Sequence, residues 1–240
     1  MSRFLGALAG LMLVFAPGAT AAPEACGEAA RDAVRRAAQL VDVGDDAGAL
    51  DVLRGRYDDA ATCPAVAVAA WGLRGWAAAQ AAAARGGTPE SLADALAAQA
   101  TLESLGRGVS DAGYATALVH AAVAAAQSER DELRLWLDQA RDVSRRIALG
   151  GTAPRWPRPI DRAEGELWHR VDDFELAETA FAAAVAGDDS AASFRGLARA
   201  RDRRGNRAGA CDAYRAVTTR AAGATPLGIE ARGYLLLCTP

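Results

Sequence analysis

Three arginines spaced four residues apart are the residues of this sequence best suited to hold a ligand. If their segment is helical, Arg195, Arg199 and Arg203 lie on one helix face. The planar guanidinium of arginine binds a carboxylate through two parallel hydrogen bonds. The spacing therefore predicts a basic stripe that can grip a carboxylate. The alternative is a solvated face whose charges pair within the protein and add little to stability.

A second group has the residue types of an acid–base site. His169 has Glu166 and Arg170 close by in sequence, as a general base would have an orienting acid. However, Glu166 and Arg170 have the spacing of an ion pair along a helix, Trp168 is accounted for by packing, and no serine or cysteine nucleophile stands at a diagnostic spacing. The sequence therefore predicts a protein that is not an enzyme. His120, within an alanine-rich segment, is predicted to be a packing residue.

The composition predicts an all-α fold. Alanine accounts for 62 of the 240 residues, and hydrophobic residues make up 51% of the chain, but aromatic residues only 6%. Alanine favours helix and buries little area, so stability must come from many short-range contacts between closely packed helices. All 27 basic residues are arginine, yet 30 acidic residues outnumber them. This balance argues against a nucleic-acid-binding protein.

The last third of the chain repeats at a fixed offset of 33 residues, and the matching positions are small or aromatic. A small residue on the first helix of each unit lets the second helix approach, and an aromatic residue fills the space between units. The matching sets are Gly165, Ala198 and Ala231; Trp168, Arg201 and Tyr234; Ala177 and Ala210; Phe181 and Tyr214; and Phe194 and Leu227.

This pattern resembles the tetratricopeptide repeat, a helix–turn–helix unit of about 34 residues. A looser match lies near residues 33 to 53. The resemblance implies an α-solenoid of stacked helical hairpins whose concave surface binds another protein. It also implies the residues that face this groove, which are Arg162, Glu166, His169, Arg170, Arg195, Arg199, Asp202 and Arg203.

In some members of the family, basic residues at the equivalents of Arg195 and Arg199 clamp the C-terminal carboxylate or the acidic side chains of an extended peptide. This sequence departs from that clamp at Glu166, because an acidic residue there can neutralise a nearby arginine.

The helical pattern divides the chain into two blocks. Residues 22–149 form helical hairpins that match the repeat poorly, residues 150–159 form a proline-rich linker, and residues 160–240 carry the repeats and a capping helix, Pro226–Leu237. Trp156 in the linker either plugs the seam between the blocks or forms a recognition element. The predicted helices of the first block are Glu28–Val43, Asp45–Tyr57, Pro64–Arg85, Pro89–Leu105, Ser110–Gln127 and Glu129–Leu149.

The first 21 residues have the three parts of a secretory signal peptide. Arg3 precedes an apolar run, and small residues lead to a cleavage site after Ala21 or Ala22. The apolar run is too short to span a bilayer. We therefore expect an exported protein, periplasmic or secreted, with no stable membrane anchor after cleavage.

The four cysteines of the mature chain are expected to form two disulfides. An even count in an exported chain favours this, although sequence alone allows three pairings. Within antiparallel hairpins, neighbouring helix ends favour Cys26–Cys63 and Cys211–Cys238. A metal site is not expected, because no Cys-x-x-Cys motif is present and both histidines are far from the cysteines in sequence.

We expect the partner to be a protein or peptide in the cell envelope, bound without a cofactor. Two alternatives remain open. In the first, the chain is a structural assembly component of an envelope complex and its groove binds no peptide. In the second, it binds a glycan or small molecule through Trp71, Trp76 and Trp156.

Overall fold

The computed structural model describes residues 28–54, 63–84, 87–106, 111–151, 158–221 and 223–238. Within these ranges the protein is all-helical and contains no strand. The helices are α1 (Glu28–Val43), α2 (Asp46–Leu53), α3 (Pro64–Ala83), α4 (Pro89–Leu105), α5 (Ala112–Ala126), α6 (Arg130–Leu149), α7 (Ile160–Arg170), α8 (Phe174–Gly187), α9 (Ala191–Arg203), α10 (Arg207–Arg220) and α11 (Pro226–Leu235).

Consecutive helices pack as pairs, and the first helices of neighbouring pairs also touch. The pairs are α1 with α2, α3 with α4, α5 with α6, α7 with α8, and α9 with α10, while α11 packs on α10 and α9. In addition, α1, α3, α5, α7 and α9 each contact the next odd-numbered helix. One core cluster, rich in alanine, includes residues from both halves of the chain.

Four of the pairs turn through the same hydrogen-bonded motif. A residue with positive φ follows the first helix, and the amide of the next residue donates to the carbonyl five residues earlier, as in a Schellman motif. The positive-φ residues are Gly44, Ser128, Asp172 and Gly205. The matching bonds, each 2.9 Å long, are Asp45 N to Leu40 O, Glu129 N to Ala124 O, Asp173 N to Trp168 O and Asn206 N to Arg201 O.

The small positions and the aromatic positions 181 and 214 occupy equivalent environments at the 33-residue offset, whereas Trp168 is buried and its counterparts Arg201 and Tyr234 are partly exposed. Helices α8 and α10 are both 14 residues long and begin 33 residues apart, at positions 174 and 207. The small positions Ala198, Ala231, Ala177 and Ala210 are fully buried, and the aromatic positions 181 and 214 are buried as well. The second helix of each unit is capped by the side chain before it, Asp173 or Asn206.

Glycines make the closest approach between repeats possible. The ring of Phe181 on α8 occupies the space where a Cβ on either Gly165 of α7 or Gly196 of α9 would lie. In the first block, the side chain of Val119 on α5 likewise occupies the space where a Cβ on Gly75 of α3 would lie. The predicted small role of Gly165 therefore has a direct packing basis, and Gly75 has the same basis in the first block.

The predicted helix bounds agree with the structure to within a few residues, with two differences that can be described. Helix α2 ends at Leu53, before the predicted end, and residues 55–62 are outside the described ranges. Helix α11 ends at Leu235 because the chain tightens there, with Leu237 N bonded to Tyr234 O and Cys238 N to Leu235 O.

Several predictions fall on residues outside the described ranges. These are the signal peptide at 1–21, Trp156 and Cys26, so the Cys26–Cys63 pairing stays a prediction. The other predicted pair, Cys211 and Cys238, forms a disulfide that ties α10 to the segment after α11, with a Cα–Cα distance of 5.9 Å. Among the described helices, none has the combined length and apolarity needed to cross a membrane.

We predict that Gly196→Ala lowers the free energy of unfolding by about 1 to 3 kcal/mol, because the added methyl overlaps the buried Phe181 ring. Gly233→Ala is the matched control, since a Cβ at that helical position meets no atom within 4 Å and alanine favours helix. Urea denaturation measures both. Equal stability of the two variants would contradict the proposed packing.

Candidate binding cavity

A cavity of about 680 Å³ collects most of the residues predicted to face a groove. Six of the eight line it: Glu166, His169, Arg170, Arg195, Arg199 and Arg203. The opposite wall comes from α1, α2 and α3, with Val41, Asp46, Trp76 and Gln80 among its residues. The first block therefore covers part of the face that α7 and α9 present.

The cavity carries a surplus of positive charge. Its arginines are Arg158, Arg170, Arg195, Arg199 and Arg203, and its carboxylates are Asp46, Glu166 and Asp172. Five guanidinium groups against three carboxylates leave a formal charge of 5 − 3 = +2 on the lining side chains, and adding Arg162, Asp42 and Glu230, which contact them, leaves 6 − 5 = +1. Such a cavity favours an anion over a cation or a neutral molecule.

Two buried arginines near the cavity and two carboxylates form an ion cluster that has no net charge. The side chains of Arg158 and Arg162 are each only 5% exposed. Arg162 lies 3.0 Å from Asp42 and 3.1 Å from Glu166. Arg158 contacts the same two carboxylates. Its Nε lies 2.7 Å from Glu166, which makes an ion pair, but the angle does not allow a hydrogen bond. Two guanidinium groups and two carboxylates balance, so this ion cluster has no net charge.

The ion cluster joins the first block to the second. Asp42 comes from α1, Arg162 and Glu166 come from α7, and Arg158 stands just before α7. Arg158 also donates to Val41 O at 2.7 Å, near the C-terminus of α1 where a cation is favoured by the helix dipole. Tyr114 of α5 donates to Arg158 O in turn.

Burial and charge act in opposite directions on these groups. Burial lowers the pKa of Arg158 despite the two carboxylates beside it. For Arg162, burial also lowers the pKa, but Glu166 and Asp42 outweigh it and the pKa is raised. Both side chains stay charged at any physiological pH, so the carboxylates are required to compensate them.

The arginine stripe becomes more exposed along α9. The exposed fraction is 15% for Arg195, 48% for Arg199 and 57% for Arg203. Arg199 makes two hydrogen bonds of 2.8 Å to the carboxylate of Glu230 on α11. Arg203 lies 3.5 Å from Asp172, and its guanidinium is 4.6 Å from the ring centroid of Phe174. The stripe is thus partly used within the protein.

Arg170 contributes a charge that the described carboxylates compensate only in part, through its electrostatic interaction with Asp46. Its Nη2 donates to the amide oxygen of Gln80 on α3 at 2.5 Å. Within the described ranges, no carboxylate lies at ion-pair distance from Arg170. Its charge is therefore available to a ligand.

Two ring nitrogens of cavity residues are buried without a partner in the described part of the chain. They are His169 Nε2 and Trp76 Nε1. Burial lowers the pKa of His169, and Arg199, Arg203 and Arg170 lower it further, so the imidazole is neutral at pH 7. A buried polar group without a partner costs about 1 to 3 kcal/mol. A ligand whose oxygen atoms reach the indole N–H would recover part of that cost.

Two of the eight predicted residues do not line the cavity. Arg162 is held within the ion cluster, and Asp202 accepts a hydrogen bond from the hydroxyl of Tyr234. Glu166 and Asp202 are therefore both bound by other side chains of the protein. For Arg162 and Asp202, the groove position that the resemblance implies does not match what the side chain contacts.

Arg158, Asp42 and Asp46 are not among the groove residues predicted from the sequence. A signal for Arg158 was available, because it stands between two prolines and so has a restricted backbone. No local pattern relates Asp42 to it, since the two are 116 residues apart.

The remaining candidates have structural roles. His120 stacks on Trp136 with a centroid distance of 3.8 Å and lies 2.9 Å from Glu103. Trp76 is fully buried and lines the cavity, whereas Trp71 packs against a separate cluster, so the two rings do not share a pocket. The described residues contain no cluster of side chains that can hold a metal ion.

No protein-family model matches the chain, and no curated protein and no solved structure is significantly similar to it.

We predict that Asp42→Asn destabilises the protein by about 3 kcal/mol, the lower end for a broken buried ion pair because Asp42 itself is 43% exposed. Two buried guanidinium groups then share one carboxylate. Asp32→Asn on the same helix removes an exposed pair with Arg35 and should cost well under about 1 kcal/mol. Similar losses for the two variants, measured by thermal unfolding, would refute the role of the ion cluster.

We also predict that Asp46→Asn stabilises the protein increasingly as the pH rises from about 4 to about 6, and has little effect on stability below about pH 4. Burial raises the pKa of Asp46 from 3.8 to about 6, with Glu166 and Asp45 adding to the rise and Arg158 and Arg170 opposing it. A carboxyl with a raised folded-state pKa destabilises the fold once it ionises, so stability falls between about pH 4 and pH 6.

The measurement is the free energy of unfolding of both proteins at about pH 4 and about pH 8. The expected gain from Asp46→Asn is on the order of 2 kcal/mol at the higher pH and near zero at the lower. A gain that does not change with pH would contradict the assignment.

Proposed function

We propose that this protein is an exported, TPR-like α-solenoid that binds an acidic or C-terminal peptide of a protein partner in the cell envelope. The peptide carboxylate is held in the arginine-lined cavity. The observation that carries the proposal is the convergence of five arginines on one cavity with a surplus of positive charge. No catalytic step and no cofactor are part of this function.

The packing supports the repeat architecture. Each first helix contacts the first helix of the next pair, as stacked hairpins require, and the 33-residue offset recurs in both burial and capping. The disulfide Cys211–Cys238 is consistent with the oxidising compartment that the predicted signal peptide implies.

The cavity supports a carboxylate ligand for two reasons. Its volume of about 680 Å³ is in the usual range for ligand sites, about 300 to 1,000 Å³. In addition, Arg199 already binds a carboxylate through two parallel bonds, which is the geometry that a peptide C-terminus needs. Arg170 and Arg203 stand beside it on the same cavity.

The alternative of a purely structural assembly component has less support. That function would favour a broad apolar patch on the first block. The exposed large apolar residues there are Leu96 on α4 and Leu135 and Leu149 on α6. The two on α6 are 14 residues apart, which is about 21 Å along a helix, so they do not form one patch.

The test is calorimetric titration of the mature protein with N-acetylated acidic pentapeptides that end in a free carboxylate. We expect Arg199→Gln combined with Arg203→Gln to weaken the best peptide about a hundredfold, because two charge-assisted contacts are lost. Wild-type affinity should fall as salt is raised.

Arg201→Gln combined with Arg204→Gln is the matched control. These two arginines come from the same helix and turn but bind Glu178, away from the cavity. Their loss should leave peptide affinity unchanged. Absence of binding by the wild type at millimolar peptide, or equal affinity of the two double variants, would overturn the proposal.

A further inference from the structure

Glu230 is held by the residues that the proposed function assigns to a ligand. Its carboxylate accepts two hydrogen bonds of 2.8 Å from Arg199 and one of 3.1 Å from the hydroxyl of Tyr214. Arg195 lies 3.9 Å away. Both arginines line the cavity, whereas Glu230, which comes from α11, and Tyr214 are not among its lining residues, so Glu230 approaches Arg199 from the side of α11.

We infer that Glu230 is the protein's own occupant of the carboxylate subsite, and that a ligand carboxylate replaces it on Arg199. This inference rests on the proposed function and specifies which residue the ligand displaces. The ligand class is one that presents two coplanar oxygen atoms, as a carboxylate does. A neutral amide offers only one acceptor and does not compete on equal terms.

Because Arg199 and Glu230 are both partly exposed, replacing Glu230 by a ligand carboxylate has a small free-energy cost. Glu230 is 28% exposed and Arg199 is 48% exposed, unlike the ion cluster, in which the guanidinium groups are 5% exposed. Ion pairs near the surface contribute little to stability. Water can therefore solvate Glu230 as it leaves, and the ligand restores both hydrogen bonds of Arg199.

Helix α11 remains attached to the protein when Glu230 is displaced. Tyr234 donates to Asp202 and stacks on Tyr214 with a centroid distance of 4.3 Å. The disulfide Cys211–Cys238 closes the segment that follows the helix, and Arg207 donates to Leu237 O at 2.7 Å. The exchange thus removes one side-chain anchor of α11, which loosens the helix, and does not require α11 to dissociate.

The decisive variant is Glu230→Gln, which keeps the size of the side chain and removes its charge. We expect it to bind the best free-carboxylate pentapeptide about tenfold more tightly than the wild type does, because the internal competitor is weakened. The same peptide with an amidated C-terminus and with every acidic side chain replaced by its amide should show no such gain. Glu178→Gln is the control, since it weakens a similar arginine contact away from the cavity.

A second measurement uses the wild type and does not depend on a variant folding. Saturation with the free-carboxylate peptide should increase hydrogen exchange of the α11 amides, because the helix loses its anchor on Arg199. Unchanged or greater protection of α11 would refute the inference.

The outcomes separate the two proposals. If no variant and not even the wild type binds the pentapeptides, the proposed function fails and the inference fails with it. If the wild type binds and Glu230→Gln gives no gain, or Glu178→Gln gives the same gain, only the inference fails.

Discussion

The buried pair of guanidinium groups, Arg158 and Arg162, sets the strictest physical requirement in this molecule. Arginine cannot shed its charge by losing a proton, so its burial has to be compensated by carboxylates placed within contact distance. Asp42 on α1 and Glu166 on α7 supply them. Because Asp42 comes from the first helix of the first block and Glu166 from the first helix of the second block, satisfying the guanidinium groups also fixes α1 opposite α7 and α9. The cavity is the space that this arrangement leaves.

An alanine-rich core needs polar contacts of this kind to define how its hairpins fit together. Small side chains bury little area and leave many helix placements nearly equal in energy. A hydrogen-bonded arginine favours one helix placement over the others, because its planar guanidinium group binds well only at a particular distance and angle. Arg141 bonded to Glu164 and Arg130 bonded to Val171 O tie α6 to the second block in this way. Arginine therefore supplies much of the geometric definition between hairpins.

The local part of the fold could be predicted from the sequence, but the partners across the cavity could not. Helix bounds such as Pro89–Leu105 follow from caps and prolines that lie next to each other. The small and aromatic positions of the repeat follow from a regular offset. By contrast, Arg195 reaches Asp42 O across 153 residues, and nothing local encodes that contact. The groove positions implied by the family place Arg162 on an open face, and this prediction did not anticipate that α1 would cover it.

Burial divides the charges around the cavity into two kinds. The ion cluster is balanced and shielded, so exchanging its carboxylates for those of a ligand would strand charge in a medium of low dielectric. The arginines nearer to solvent are different, because Arg170 binds only an amide and Arg199 and Arg203 bind carboxylates that water can take over. The same residue type thus holds the hairpins together where it is buried, and remains open to exchange where it is exposed. A ligand anion gains most at the exposed end of the stripe, because water can take over the carboxylates that Arg199 and Arg203 release there.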